Sequence, residues 1–421
     1  MTDIKTLTYA RQLDNEDELK EFRNKFHIPT IEGKEVVYFT GNSLGLQPKN
    51  TKDYINEELD GWATLGVEGH FHAAKRPWFH YHKFSKEALA RIVGAKPVEV
   101  VSMNNLTVNL HLMMVSFYRP TRERFKIIIE AGAFPSDQYA VESQIKFHGY
   151  PYADALIEIA PRYGEHHLRT EDILAKIEEH GDELSLILLS GVQYYTGQWF
   201  DMKQITAAGH EVGAYVGYDL AHAVGNVPLA LHDWQVDFAA WCSYKYLNSG
   251  PGGVSGVFVH EKHGKSSDIP RFAGWWGHDE SQRFKMEKGF KPMEGADGWQ
   301  LSNVNILSSA AHLASLEIFD EVGMEKLRAK SLKLTAYLQS LLQDMHDKQL
   351  LEIITPHAPE ARGCQLSLLV NHNGKKIFEK LTQAGVVADW REPNVIRIAP
   401  VPLYNTFEDV YNFYSIINNA L

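Results

Sequence analysis

Short apolar runs alternate with amphipathic stretches along the chain, and this alternation limits the possible folds more than any other feature. Several runs are apolar at nearly every position, which is typical of parallel strands covered on both faces. Between them, the segment after Thr107 places Leu110, Met113 and Phe117 on one face of a helix. The pattern predicts the α/β class, with a mainly parallel sheet between layers of helices. The strands predicted in the first half are 98–103, 126–130, 184–190, 214–219 and 238–243.

A second, smaller α/β unit is predicted in the last quarter of the chain. The stretch 264–303 before it is long, polar and rich in glycine and aromatic residues, which favours a functional loop region. A helix over 304–321 follows, and the last helix begins at Thr406, where Asp409 completes a capping-box-like start. Between these two helices we expect helices over 324–345 and 376–384 and strands over 351–355, 364–370 and 395–399.

These elements suggest three regions. We expect an N-terminal segment over 1–60 that packs with the smaller domain, at least up to about Gly45. A large domain should cover 61–305, and the small C-terminal α/β domain should cover 306–421.

The charge and the apolar runs bear on partners and location. The net charge of -11 argues against a nucleic-acid partner, because such surfaces concentrate lysine and arginine. The longest apolar run, 184–189, is of strand length, so no membrane partner is expected. The acidic start of the sequence lacks the basic and apolar regions of a signal peptide, which predicts a cytoplasmic protein.

Cysteines and histidines give no sign of a disulfide framework or a metal site. There are two cysteines, Cys242 and Cys364, too few for a cysteine-rich zinc site. The HFH and HYH motifs that contain His72, His80 and His82 lack a third ligand at a recognisable spacing, so we expect no metal.

Two strand ends contain the candidate reactive residues. Asp219 stands where one apolar run stops, and Lys245 follows the end of another. In an open parallel sheet, ligands bind beyond the carboxyl ends of the strands. A lysine there can bond covalently to an aldehyde cofactor, and a carboxylate can keep a pyridine nitrogen protonated. Taken singly, Asp219 could start a turn and Lys245 could be a solvated lysine. Their flanking sequences favour a pyridoxal 5′-phosphate (PLP) site.

Two further segments suit the rest of such a cofactor. The helix that begins near Thr107 offers backbone N–H groups to a phosphate, although plain capping would explain the same residues. In AGAFPSDQY, Phe134 could stack on the ring, and Asp137 lies in the same turn.

Ten short motifs together point to one enzyme family. They are GNSLGLQP at 41–48, KRPW at 75–78, NLTVNLHL at 105–112, FPSD at 134–137, YTGQ at 195–198, YDLAHAVGN at 218–226, WCSYKYLN at 241–248, RFKM at 283–286, RGCQL at 362–366 and APVPLYN at 399–405. Through these motifs the sequence resembles kynureninase from about residue 36 to its end. The DxAH strand end and the later lysine are shared with a wider family that includes cysteine desulfurases, whereas WCSYKYLN and APVPLYN are more specific to kynureninase.

The resemblance implies a PLP enzyme of fold type I, with a seven-stranded sheet in the large domain, and it assigns roles to matching residues. Lys245, Asp219 and Tyr244 would be catalytic. The cofactor would be bound by Leu106, Thr107, Phe134, Pro135, Ser136, Asp137, Ser190, Asp219, His222, Tyr244, Lys245, Trp275 and Asn303. The substrate would be bound by Ser43, His70, Ser302, Asn303 and Arg397.

The implied reaction is hydrolysis of the bond between the β and γ carbons of L-kynurenine or 3-hydroxy-L-kynurenine, in tryptophan catabolism and NAD biosynthesis. His70 with Asn303 favours the 3-hydroxy substrate, and His72 is a rival for the place of His70. Arg397 would bind the α-carboxylate through its planar fork. We expect Asp219 to stay ionised at neutral pH, because a neighbouring cation lowers a carboxyl pKa.

Two alternatives stay open on the sequence. A cysteine desulfurase would need a thiol on a loop, whereas Cys242 and Cys364 both lie in apolar runs typical of buried strands. A non-catalytic PLP-binding protein is the other. By resemblance we expect a homodimer with shared active sites, in which Trp275 or Asn303 reaches the neighbouring subunit's cofactor.

Overall fold

The structure, a computed structural model, describes residues 3–265 and 268–421. Residues 266 and 267 of the predicted loop region lie outside this part. The helices are α1 (Leu7–Glu16), α2 (Thr51–Leu65), α3 (Gly69–His72), α4 (Lys86–Val93), α5 (Leu106–Phe117), α6 (Pro135–Phe147), α7 (Tyr152–Ala155), α8 (Thr170–Glu179), α9 (Met202–Glu211), α10 (Glu261–Gly264), α11 (Ile306–Val322), α12 (Met324–Asp347), α13 (Gly374–Gln383) and α14 (Phe407–Ala420). The strands are β1 (Thr30–Ile31), β2 (Lys34–Glu35), β3 (Val37–Tyr38), β4 (Val100–Ser102), β5 (Lys126–Glu130), β6 (Leu156–Ile159), β7 (Leu184–Ser190), β8 (Tyr215–Asp219), β9 (Phe238–Trp241), β10 (Gly256–Val259), β11 (Glu352–Ile353), β12 (Leu366–Leu369), β13 (Val386–Val387), β14 (Asp389–Arg391) and β15 (Val395–Ile398).

The large domain is built on a seven-stranded sheet in the order β4-β10-β9-β8-β7-β5-β6. Strands β6, β5, β7, β8 and β9 pair in parallel, and β10 is antiparallel to both β9 and β4. The expectation of a mainly parallel seven-stranded sheet is confirmed. The apolar runs located five of its strands. They missed β6, whose LIEI sequence is partly exposed at the sheet edge, and β10, a short strand after a glycine-rich turn.

Helices cover both faces of this sheet, which explains why its strands are apolar throughout. On β5, Ile128 packs with α4, α8 and α9, while Ile127 and Ile129 pack on the opposite face with α5 and α6. Successive side chains of a strand point to opposite faces, so a sheet buried on both sides needs apolar residues at consecutive positions.

A second core lies around the four-stranded sheet β11-β12-β15-β14, in which every pairing is antiparallel. Helices α12, α13 and α14 pack on it. Ala10 of α1, Val37 and Phe39 join the same core, and β3 pairs in parallel with β13. The predicted capping box is present, because the Thr406 hydroxyl accepts from the Asp409 N–H and the Asp409 carboxylate accepts from the Thr406 N–H.

The N-terminal segment and α11 connect the two cores. Helix α11 packs against α2 and α4, and its Leu316 and Phe319 belong to the core of the large sheet. Because the residues of α12 in the small-domain core begin at Leu334, we propose Gly323, between α11 and α12, as the domain boundary in place of residue 306. We likewise propose that α2, within the expected segment 1–60, belongs with the large domain.

Among the described residues, no helix combines the length and the hydropathy needed to cross a bilayer.

Candidate active site

A cavity of about 440 Å³ lies beyond the carboxyl ends of the parallel strands, between the large sheet and the small domain. Strands β7 and β8 end in it at Ser190 and Asp219, and the segment after β9 contributes Lys245. Its lining residues are Asn42, Ser43, Asn105, Leu106, Thr107, Phe134, Ser136, Asp137, Ser190, Val192, Tyr194, Asp219, Ala221, His222, Tyr244, Lys245, Arg391 and Arg397.

The Lys245 amine lies close to two other lining residues. Its Nζ is 3.0 Å from Nε2 of His222 and 5.7 Å from the centroid of the Phe134 ring. Burial, helped by the charges of Lys245 and Arg397, holds the pKa of His222 well below its usual range. The imidazole is therefore neutral at pH 7 and can accept a hydrogen bond from the amine.

Two carboxyl groups form one pair beside Lys245. Oδ1 of Asp219 accepts from the Ala221 N–H at 2.7 Å, and Oδ1 of Asp137, in the first turn of α6, accepts from the Ser136 hydroxyl at 3.2 Å. Burial raises the pKa of both groups. For Asp137 the Asp219 charge and a hydrogen bond to Asp219 raise the pKa further, whereas the same hydrogen bond lowers the pKa of Asp219.

The expected direction of the Asp219 pKa shift is wrong, whereas its ionisation at neutral pH stays a prediction. The Lys245 charge does lower the pKa of Asp219, but burial outweighs it and the net shift is upward. When a carboxylate is fully buried, a nearby cation replaces only part of the hydration energy that the carboxylate loses. The pair is suited to face a protonated heterocyclic nitrogen, because the positive charge of that nitrogen would stabilise the buried carboxylate.

An anion can bind at the start of α5. Asn105 precedes this helix in an extended conformation, and its side chain makes no capping hydrogen bond, so first-turn N–H groups stay available beside Leu106 and Thr107. The free N–H groups and the positive end of the helix dipole favour a phosphate. Nδ1 of His222 and Oδ1 of Asn42 are also buried without a hydrogen-bond partner among the described residues. The cavity thus has unused polar groups that fit a phosphorylated aromatic ligand.

Two arginines of the small domain close the other end of the cavity. One Nη of Arg397 donates to the Tyr194 carbonyl at 2.6 Å and the other to the Asp389 carboxylate, which Arg391 also contacts at 3.0 Å. Burial lowers the pKa of Arg397 to about 10, which still leaves it charged at neutral pH. In this cluster two positive charges meet one negative charge, so it can bind a carboxylate.

The comparisons with known proteins agree with this geometry. Residues 327–417 match the family model of the kynureninase C-terminal domain. A curated kynureninase from Flavobacterium psychrophilum is 61% identical over 99% of this chain and 98% of its own length. This chain belongs to the kynureninase family. Further kynureninases are those of Flavobacterium johnsoniae, 58% identical over 100% of this chain and 99% of its own, and Myxococcus xanthus, 57% identical over 96% and 95%.

Solved structures share the fold at low identity. The apo cysteine desulfurase of Thermococcus onnurineus has a TM-score of 0.74 at 18% identity and covers 91% of this chain and 94% of its own. A C-DES variant with glycine covalently linked to its PLP cofactor has a TM-score of 0.76 at 18% identity and covers 94% and 99%. These neighbours support the expected fold type.

Most residues that the kynureninase resemblance selected meet at this cavity. Twelve of them line it: Ser43, Leu106, Thr107, Phe134, Ser136, Asp137, Ser190, Asp219, His222, Tyr244, Lys245 and Arg397. Pro135 begins α6 between two lining residues without lining the cavity itself.

Four of the selected residues lie outside the cavity of their own chain. Trp275 is 47% exposed and donates to the Arg283 carbonyl, and both Ser302 and Asn303 are exposed. His70 lies on α3, where Nδ1 is 3.0 Å from the Val67 carbonyl oxygen and the ring meets Trp78 edge-on. His72 is exposed and lies near Glu68, so neither histidine contributes to the cavity within one chain.

The sequence reading missed several lining residues, of which Asn42, Asn105, Tyr194 and Arg391 are polar. Three of them lie within or directly beside quoted motifs: Asn42 in GNSLGLQP, Asn105 in NLTVNLHL and Tyr194 before YTGQ. Arg391 follows Asp389 on β14, a strand that was not predicted. The sequence gave less indication of Arg391, because a charged residue in ADWREPN is typical of a solvent-exposed turn.

Neither thiol lines the cavity of its own chain. Cys242 and Cys364 are buried and do not line the cavity, and burial raises the pKa of both, of Cys364 to about 12. In the part of the chain that the structure describes, one group has metal-ligand spacing: Glu99, His232 and His260. Its facing atoms already bond within the protein, as in the 2.9 Å contact of His232 Nδ1 with Glu99 Oε1.

Proposed function

We propose that this chain is a PLP-dependent hydrolase that cleaves the β–γ carbon bond of L-kynurenine or 3-hydroxy-L-kynurenine to L-alanine and an anthranilate. For a member of the kynureninase family, one observation supports this proposal most directly. The Lys245 amine, a buried carboxyl pair and a positively charged arginine cluster line the same cavity. An amino acid bound there by its carboxylate would have its α-carbon within the same cavity as the amine.

The lining residues include a suitable partner for each chemical group of the cofactor. The uncapped start of α5 would hold the phosphate, Phe134 would cover the ring, and the pair of Asp219 and Asp137 would face the ring nitrogen. Lys245 would carry the aldehyde carbon. When bound, PLP supplies an electron sink that stabilises negative charge at the substrate α-carbon.

The residues of the chain then bind, orient and move protons. Arg397 would fix the substrate α-carboxylate with two parallel hydrogen bonds. The Lys245 amine, once released, would take the α-proton as a general base, and neutral His222 at 3.0 Å would orient it. Burial raises the pKa of Tyr244, which therefore keeps its proton and can donate a hydrogen bond to the cofactor. Water would then add to the substrate γ-carbonyl before the carbon bond breaks.

Anthranilate fluorescence tests the activity directly. The purified protein, supplied with PLP, should form anthranilate and alanine in equal amounts from L-kynurenine and no sulfide from L-cysteine. Lys245→Ala should lower turnover by at least about 10²- to 10⁴-fold, the range for loss of a general base. Lys203→Ala, at an exposed position on α9, is the matched control. Sulfide release would favour a desulfurase instead, and PLP binding without either product would favour a non-catalytic protein.

We propose 3-hydroxykynurenine as the preferred substrate. Ser43 lines the cavity, whereas His70, Ser302 and Asn303 would contact the aryl ring only if they came from a second subunit. The ratio of kcat/KM for the two substrates measures the preference, and Asn303→Thr should change it. An unchanged ratio would remove Asn303 from the pocket.

A homodimer with shared sites explains why these residues lie outside their own cavity. Subunit mixing tests this. Lys245→Ala lacks the amine but keeps Trp275, and Trp275→Ala has the reverse defect. If Trp275 reaches the neighbouring site, mixed dimers of the two inactive variants regain activity at one of their two sites. Mixed dimers that stay inactive, or a monomer in sedimentation analysis, would contradict shared sites.

We also propose that the enzyme works in the cytoplasm, in tryptophan catabolism and NAD biosynthesis. Cell fractionation, and measurement of kynurenine accumulation after deletion of the gene, test the two statements.

A further inference from the structure

A third buried acid lies behind the cofactor site, at the end of the next strand. In the large sheet β8, β7 and β5 are neighbours, and they end at Asp219, Ser190 and Glu130. Asp219 and Ser190 are direct partners in the sheet register. Glu130 is 3% exposed and does not line the cavity.

The Glu130 carboxylate binds Ser190 through two donors. The Ser190 N–H lies 3.2 Å and 3.4 Å from its two oxygens, and the Ser190 hydroxyl donates to Oε1 in a short hydrogen bond. A hydroxyl has one proton and two lone pairs. With its proton directed at Glu130, Ser190 offers only lone pairs to the cavity.

The same carboxylate also acts on the carboxyl pair through its charge. Glu130 raises the pKa of Asp137, and the Asp219 charge in turn raises the pKa of Glu130. Burial is the largest influence on Glu130 and raises its pKa to about 7, against the bonds from Ser190, which lower it. Glu130 thus faces both the hydroxyl and the two acids that would meet the cofactor ring.

We propose that Glu130 is a positioning residue of the cofactor site, which holds the Ser190 hydroxyl proton away from the bound cofactor and presents the hydroxyl lone pairs to it. The inference rests on the proposed PLP chemistry. A glutamine at this position could still accept from the Ser190 N–H, but its amide could donate to the hydroxyl oxygen. The Ser190 proton would then turn toward the cavity, and the hydroxyl would present a hydrogen-bond donor to the cofactor instead of its lone pairs.

The test measures PLP binding and the visible absorption spectrum of the holoenzyme, independently of turnover. Glu130→Gln should raise the Kd for PLP about tenfold, as expected for a lost hydrogen bond linked to a charged group, and should shift the visible band. Ser190→Ala should give a similar loss. The double variant should be no weaker than either single one, because both changes remove the same interaction.

Glu99→Gln is the matched control. Glu99 is also fully buried and accepts backbone N–H groups, from Lys96 at 2.8 Å and Glu261 at 2.9 Å, but it does not line the cavity. It should keep the wild-type spectrum and Kd. If Glu130→Gln fails to fold, Glu130→Asp, which keeps the charge but is too short for the Ser190 hydroxyl, should give the same loss.

The outcomes separate this inference from the proposed function. A wild-type protein that binds no PLP would overturn both. Normal PLP binding by the wild type together with an unchanged spectrum and Kd in Glu130→Gln would overturn the inference alone. Additive effects of the Glu130 and Ser190 substitutions would also overturn it, because Glu130 would then act by another route.

Discussion

Adding one methyl group at Gly45 should displace the segment that carries Lys245. The Gly45 N–H donates to the Tyr244 carbonyl at 2.8 Å, so the two segments are in direct contact. A Cβ at Gly45 would lie 2.3 Å from the Lys245 carbonyl oxygen and 2.0 Å from Oδ1 of Asn248. Since real Cβ contacts stay above 3.0 Å, the Lys245 carbonyl would have to move by roughly 0.7 Å. Overpacking of this kind costs about 1–3 kcal/mol.

If that strain is relieved by moving Lys245, the affinity for PLP should fall by about 5- to 150-fold, which is the same free energy expressed as a binding ratio. The visible absorption of the holoenzyme during PLP titration measures this affinity, and thermal unfolding of the apoprotein measures stability. Gly61→Ala is the control. Its Cβ would meet only Trp78 at 3.6 Å, and alanine favours the α2 helix by about 0.5–1 kcal/mol. Wild-type PLP affinity and stability in Gly45→Ala would refute the reasoning.

Three further substitutions test other parts of the structure. Arg397→Lys keeps a charge but loses the planar fork, so kcat/KM for kynurenine should fall at least about 30-fold, mainly through KM; a loss of PLP affinity instead would contradict its role toward the carboxylate. Burial lowers the pKa of His312 from 6.5 to about 3, so this residue destabilises the fold as the pH falls below 6.5. The free energy of unfolding, measured with urea, should therefore decrease between pH 7 and pH 5 by about 2 kcal/mol less in His312→Leu than in the wild type. An equal decrease in both proteins would show that His312 is protonated in the folded state. Thr406→Ala should lower the free energy of unfolding by about 1 kcal/mol, because the N–H of Asp409 loses its cap; a loss below about 0.3 kcal/mol would mean that the cap is redundant.

The sequence by itself determined the α/β class and showed which residues stand at the strand ends. Continuous apolar runs can only be buried on both faces, so β5 and β7 were located at their observed bounds. Strand-end residues such as Asp219 and Lys245 must meet at one edge, because parallel strands all end there. The capping box at Thr406 was also readable, since it depends on residues three positions apart.

Only the tertiary structure decided the charge balance of the site. The pKa of Asp219 depends on how far burial outweighs Lys245, and the carboxylate-binding end depends on β14 and β15 bringing Arg391 and Arg397 to one aspartate. The contact of Glu130 with Ser190 joins residues of adjacent strands that are 60 positions apart in the chain. Local sequence patterns do not encode such distances, because they arise when separate segments pack and exclude water.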